Sequence, residues 1–135
     1  MTGMKRLVPV ILCIAMVGCG TRAKVEADRT APVHSAHNNK VCLLAGAPPS
    51  DVKVVALGRI KATKRTYGGT DELLPVMARE ARKLGADAII NLQAEQRFKG
   101  PLPWRVTSPT GDGIAVKVLP DSPKLDCLGA GGRLA

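Results

Sequence analysis

Apolar and polar positions alternate most regularly between Val52 and Thr63. One parity carries Val54, Ala56, Gly58, Ile60 and Ala62, and the other Lys53, Val55, Leu57, Arg59 and Lys61. A period of two predicts a strand with a half-basic outer face. Leu73, Leu74, Met77, Ala78, Ala81 and Leu84 then recur at helical spacing, with Arg79, Glu80, Arg82 and Lys83 between them, which predicts an amphipathic helix. Thr70-Asp71-Glu72 supplies a cap candidate and acids for the positive end of the dipole. Pro75 is tolerated only in a first turn, so the helix starts a residue or two after that cap, and Gly85 ends it. Ala88 to Ala94, continuing to Phe98, predicts a second strand, and Ile114 to Leu119 a last one with Ile114, Val116 and Val118 inward. Between them Pro101 and Pro103 interrupt, and Val106-Thr107-Ser108 resumes briefly before Pro109-Thr110-Gly111-Asp112-Gly113 breaks the pattern again. Val41 to Leu44 is a short extended run before the Pro48-Pro49 turn.

The pattern differs at the start. Leu7 to Val17 is an apolar run behind Lys5 and Arg6, too short to span a bilayer and closed by Met16-Val17-Gly18-Cys19. That order reads as a lipobox, in which residues 1–18 are a lipoprotein signal peptide and Cys19 is the acylated mature N-terminus. An ordinary cleaved signal, or a cytosolic chain with an apolar start, are the alternatives. One acyl chain holds a protein marginally, whereas two or three hold it almost irreversibly, at about 0.8 kcal/mol per buried methylene. Gly20 stands where an aspartate commonly retains enterobacterial lipoproteins in the inner membrane. The expectation is therefore a lipid-anchored protein on the outer membrane, facing the periplasm. Residues 19–40 are polar without sustained period and predict a flexible tether. Residues 41–127 form one domain, and the glycine-rich residues 128–135 a disordered tail.

Composition restricts the domain. In 135 residues there is room for one modest core, and aromatics are 2% of the chain, namely Tyr67, Phe98 and Trp104. Of four cysteines, Cys13 leaves with the signal and Cys19 is taken by lipid, so Cys42 and Cys127 remain. A disulfide between them suits an oxidising periplasm and closes a loop worth roughly 4 to 5 kcal/mol in the chain-entropy picture. Two free buried thiols, or an intermolecular pair, are the alternatives.

The formal charge is +9, or +7 once Lys5 and Arg6 are removed. Lys53, Arg59, Lys61, Lys64 and Arg65 make a candidate face for an anionic partner such as lipid or lipopolysaccharide, against the plainer reading of a solvated strand face. An exported chain does not ordinarily meet nucleic acid. His34 and His37, with Cys42 beyond, invite a metal, but no further ligand completes a set, and solvated linker histidines are the simpler reading. Gly68-Gly69-Thr70 lacks the lysine and spacing of a phosphate loop. No nucleophile has a histidine beside it in an evident motif and no cofactor signature occurs, so the residues point to binding rather than catalysis.

Strand, helix, strand, strand, with Gly85-Ala86-Asp87-Ala88-Ile89-Ile90-Asn91 at the helix exit and Gly113-Ile114-Ala115-Val116-Lys117-Val118 at the end, resembles the YbjQ-like family, whose core the Rcs-type envelope-stress sensor lipoproteins share. The resemblance covers residues 51–119. It implies a two-layer α/β (α+β) domain, one helix on an antiparallel sheet, with the last strand between the first two. It implies a binding or stress-sensing role, with a homo-oligomeric structural or assembly component as the competing reading and a metal-binding module as the third. The Rcs sensors carry two disulfides in the domain, whereas Cys42 and Cys127 allow one here.

Overall fold

A computed structural model describes residues 20–64, 68–99 and 106–135. The fold is α+β, a mixed six-stranded sheet with one helix on it. The strands are β1 (Thr21–Ala27), β2 (Cys42–Leu43), β3 (Val54–Lys64), β4 (Ala88–Lys99), β5 (Val106–Val118) and β6 (Arg133–Leu134). Between β3 and β4 a 3-10 turn (Thr70–Glu72) leads into α1 (Leu74–Lys83). The order across the sheet is β1-β3-β5-β4-β2-β6.

The last long strand lies between the other two, as expected. Being antiparallel to both β3 and β4, β5 leaves that pair parallel, and α1 is their crossover. The sheet is mixed rather than antiparallel because β2 joins β4 in parallel. Pro75 falls in the first turn of α1, and Thr70 makes no capping bond, so the acids sit in the preceding 3-10 turn. Leu73, Met77, Ala78 and Ala81 are fully buried against Ile60, Ala62, Ile89 and Ala115. Gly85 leaves the helix at φ +78°, a conformation that glycine adopts without strain.

The strands do not keep one phase. At Leu57 a bulge interrupts the pairing of β3 with β5, between Ala56 and Gly58. Leu57, expected on the outer face, is only 4% exposed and packs with Ile60 and Ala62 under the helix. Val55 follows it, while Val54 packs on the opposite side and Ala56 is exposed. A second break in β4 lies between Ile90 and Gln93, where Asn91 takes φ +50°. Asparagine is among the few residues with a side chain that enter this left-handed region readily.

Cys42, Leu44, Ala88, Ile90, Val116 and Cys127 form a second apolar cluster, with Val54, Ile114 and Leu125 against it. Thus Ile114 and Val116 do face inward, toward this cluster, while Ala115 faces α1. The segment after β5 covers it. Cys42 and Cys127 are joined in a disulfide, Cα atoms 5.6 Å apart and 85 residues apart in sequence.

Two expected flexible regions are ordered. In the segment read as a tether, Thr21, Ala23 and Val25 alternate with Arg22, Lys24 and Glu26, and β1 pairs with β3 along its whole length. Its partner lies more than thirty residues away, so the seven-residue alternation has no local partner in the sequence. Residues 31–40 then cross the end of the helix, where the N–H of His37 donates to the carbonyl of Arg82 at 3.2 Å. The tail read as disordered forms β6 against β2, and Val41 and Ala135 exchange backbone hydrogen bonds of 2.8 and 3.0 Å. Fixing Cys127 shortens the chain left to order, which offsets the freedom of its glycines. The signal peptide and Cys19 lie outside the described residues, as do Tyr67 and Trp104.

Two predictions follow from this packing. Cys42→Ala with Cys127→Ala lowers unfolding stability by about 4 kcal/mol, read by urea titration, because the closed loop is long. Gly58→Ala displaces β1, since an added Cβ would stand 2.7 Å from the Glu26 carbonyl oxygen and 2.9 Å from the Ala27 Cα. Amide exchange at residues 21–27 should quicken about tenfold or more while β4 and β5 hold, in keeping with the roughly 1 to 3 kcal/mol cost of overpacking.

Candidate binding face

The helix covers one side of the sheet and the C-terminal segment covers only the lower part of the other. Above the two breaks, the second side is left to polar residues. Cross-strand register sets them in rows: Lys24, Lys61, Asp112 and Gln93 in one, and Arg22, Thr63, Thr110 and Glu95 in the next. Arg59 opposes Glu26, and Arg97 lies further along β4. Among the described residues no element overlies these rows. They enclose a shallow depression of about 200 Å³ lined by Lys61, Thr63, Gln93, Glu95, Arg97 and Asp112. It continues into one of about 170 Å³ beside Arg59 and Asn91.

The charges on this face are interleaved. Lys24 and Lys61 stand directly opposite, an arrangement that is repulsive by itself. Glu26 relieves it, with Oε1 3.8 Å from Lys24 Nζ and 3.9 Å from Lys61 Nζ. Arg59 reaches Asp112 at 3.7 Å and Arg97 reaches Glu95 at 2.7 Å. All these pairs are exposed, so their worth lies in patterning the surface more than in stability. At the end of β1, Asp28 Oδ1 accepts from the hydroxyl and the N–H of Thr30 at 2.6 and 2.9 Å, the hydroxyl first in effect, which holds this carboxyl below the ordinary range.

Of the five residues expected to form one basic face, Arg59 and Lys61 are on it. Lys53 lies before the bulge, in the opposite phase, and its N–H donates to Ser122 Oγ at 2.7 Å. Lys64 is one position out of phase and pairs with Glu72 on the helix side. Arg65 lies outside the described residues. Arg22, Lys24, Glu26, Gln93, Glu95, Arg97 and Asp112 complete the face, and their signal was the same alternation in Arg22 to Glu26 and in Gln93 to Arg97.

The histidines are packed rather than solvated. His37 Nε2 donates to the carbonyl of Ala86 at 2.7 Å, and Nδ1 accepts the N–H of Asn39 at 3.1 Å, the pattern of the tautomer with its proton on Nε2. His34 lies against Gly85, where a Cβ would fall 2.6 Å from its own. Among the described residues no three ligating side chains of the His, Cys, Asp and Glu types gather. The acid of the Gly-Ala-Asp junction also has a structural occupation. Asp87 Oδ2 accepts the N–H of Val118 at 3.0 Å, Oδ1 accepts Lys117 Nζ at 3.2 Å, and its carbonyl accepts the N–H of Cys42. Beside Gly68 lies the ion pair of Glu72 and Lys64.

A second cavity of about 260 Å³ adjoins the disulfide, with Leu125, Val118 and Leu134 in its wall and Lys40 and Lys124 around it.

No family model matches the chain, and no curated protein matches it. Among solved structures, the Francisella virulence factor FvfA, in its orthorhombic crystal form, is similar over 70% of this chain and 96% of its own. The identity is 14% and the TM-score 0.48.

Glu26→Gln tests the interleaving. It should leave Lys24 and Lys61 unrelieved and lower stability by about 0.5 kcal/mol in low salt, a difference that fades in about 1 M salt, as denaturant titration at both ionic strengths would show.

Proposed function

We propose that this protein is a lipid-anchored module of the bacterial envelope, held on the outer membrane through Cys19, that binds an envelope component or reports stress by binding rather than by catalysis. The observation that carries the binding part is the charge-patterned face over β1, β3, β5 and β4, whose rows of Lys61 and Thr63 no described element covers. A sheet face that only needed water would be served by any polar residues. Here cations and acids are interleaved in register, the arrangement that discriminates between partners. Both histidines are engaged in packing, and the two described cysteines are in the disulfide.

The anchor reading rests on Met16-Val17-Gly18-Cys19. Because β1 begins at Thr21, Gly20 alone separates Cys19 from the sheet. An acyl group on Cys19 would therefore hold the domain close against the bilayer instead of suspending it on a spacer that could extend to about 65 Å. A partner would meet the face at the membrane surface. The assembly reading has its own support in the free edge of β1, developed below.

Metabolic labelling with palmitate tests the anchor. The wild-type chain should take up label and a Cys19→Ala chain none, and an unlabelled wild-type protein contradicts the reading. A photo-crosslinking residue at Lys61 tests the face. It should give a discrete adduct in cells, where one at Arg79, on the exposed side of α1, gives none; no adduct at Lys61, or equal adducts at both, contradicts it.

A further inference from the structure

The outer edge of β1 has β3 on one side and no described strand on the other. The N–H of Asp28 donates to the carbonyl of Leu57 at 2.9 Å, which, with the register of Thr21 to Ala27 against Lys64 to Gly58, fixes the parity of the strand. Even-numbered residues bond to β3, so Ala23, Val25 and Ala27 direct their N–H and C=O groups away from the sheet. Edges are ordinarily blunted by charged side chains, proline, a bulge or shortness, and the cations of β1 are accompanied by acids on the same strand. β1 is seven residues long, holds no proline and keeps its register unbroken.

Its charges are not random. Arg22 and Lys24 precede Val25, and Glu26 and Asp28 follow it, all four in one phase of the strand. Reversing the strand about Val25 exchanges the cations with the acids. We propose that two copies of this chain pair antiparallel through β1, centred on Val25, to form a twofold dimer with one continuous sheet. Val25 then bonds to Val25 of the second copy, and Ala23 to Ala27, with about six backbone hydrogen bonds. Between them lie the non-hydrogen-bonded pairs, where side chains approach most closely. There Lys24 meets Glu26 of the second copy and Arg22 meets Asp28, each twice. Both Thr30 bonds fall on Asp28 Oδ1, leaving Oδ2 for the arginine.

The charges also select the register. Centred on Ala23, the same pairing would set Lys24 against Arg22, and centred on Ala27, Glu26 against Asp28. Each shift opposes like charges directly. Pairing about Val25 is self-complementary and closed, so it consumes both edges and stops at two copies. It also joins the two open faces side by side. The inference stands independently of Cys19 and of the envelope reading.

Sedimentation of the purified full chain in mild detergent tests it. The wild type should run at twice the protomer mass. Lys24→Glu sets carboxylates opposite each other twice and should raise the dimer Kd about tenfold or more. Adding Glu26→Lys to that variant should restore the dimer, which a loss of folding would not allow. Ala23→Pro removes an outward N–H without touching the bonds to β3 and should yield monomer. A wild-type monomer at about 0.1 mM, a higher oligomer, or a dimer indifferent to Lys24→Glu overturns the proposal.

Discussion

Everything in this molecule depends on two phase changes in the sheet, one on each side of β5 and staggered by about two residues along it. At Leu57 in β3 and at Asn91-Leu92 in β4, the alternation slips. Below the breaks the sheet is apolar on both sides and is a buried slab; above them it is apolar toward α1 and polar on the reverse. β3 and β4 each serve two environments, and the slip is what allows one helix and one short C-terminal segment to cover the two apolar clusters.

That arrangement explains why the disulfide lies where it does. With aromatics scarce, both clusters are made of Val, Ile, Leu, Ala, Met and cysteine. The lower cluster has no helix over it, only a segment with little secondary structure of its own. Cys127 ties this segment to Cys42 on β2, and β6 and the terminal residue then close over β2 by backbone bonds. A covalent cross-link acts mainly on the unfolded chain, where it removes freedom that so thin a cover could not offset. On the upper half, among the described residues, no element lies over the rows of Lys61 and Thr63.

β3, β4, the helix and the second half of β5 were legible because each shows a sustained period of two or 3.6, and the place of β5 was implied by the resemblance. The first half of β5 was not, because Pro109, Gly111 and Gly113 read as a break, whereas the strand runs through them, paired on both sides. Cys42 and Cys127 were legible as a pair once the other cysteines were set aside. β1 and β6 were not. Their alternation is short, their residues are mostly polar or small, and their stability comes from partners distant in the chain. Nor was the basic face. Strict alternation put Lys53 with Arg59 and carried the stripe on to Lys64, whereas the bulge separates the first, and Lys64 points to the helix side. A bulge leaves no mark in composition, and Leu57 reads the same in either phase. The interleaved acids also lie on other strands, so the face as a whole was distributed over four segments.

Thiol accessibility across the break tests the central claim most directly. In full chains carrying Ala56→Cys or Leu57→Cys, read over the wild-type background, maleimide should label position 56 quickly and leave position 57 protected, since Ala56 is exposed and Leu57 is buried. Labelling at 57 with protection at 56 would restore unbroken alternation, and would contradict both the two-sided core and the open face derived from it.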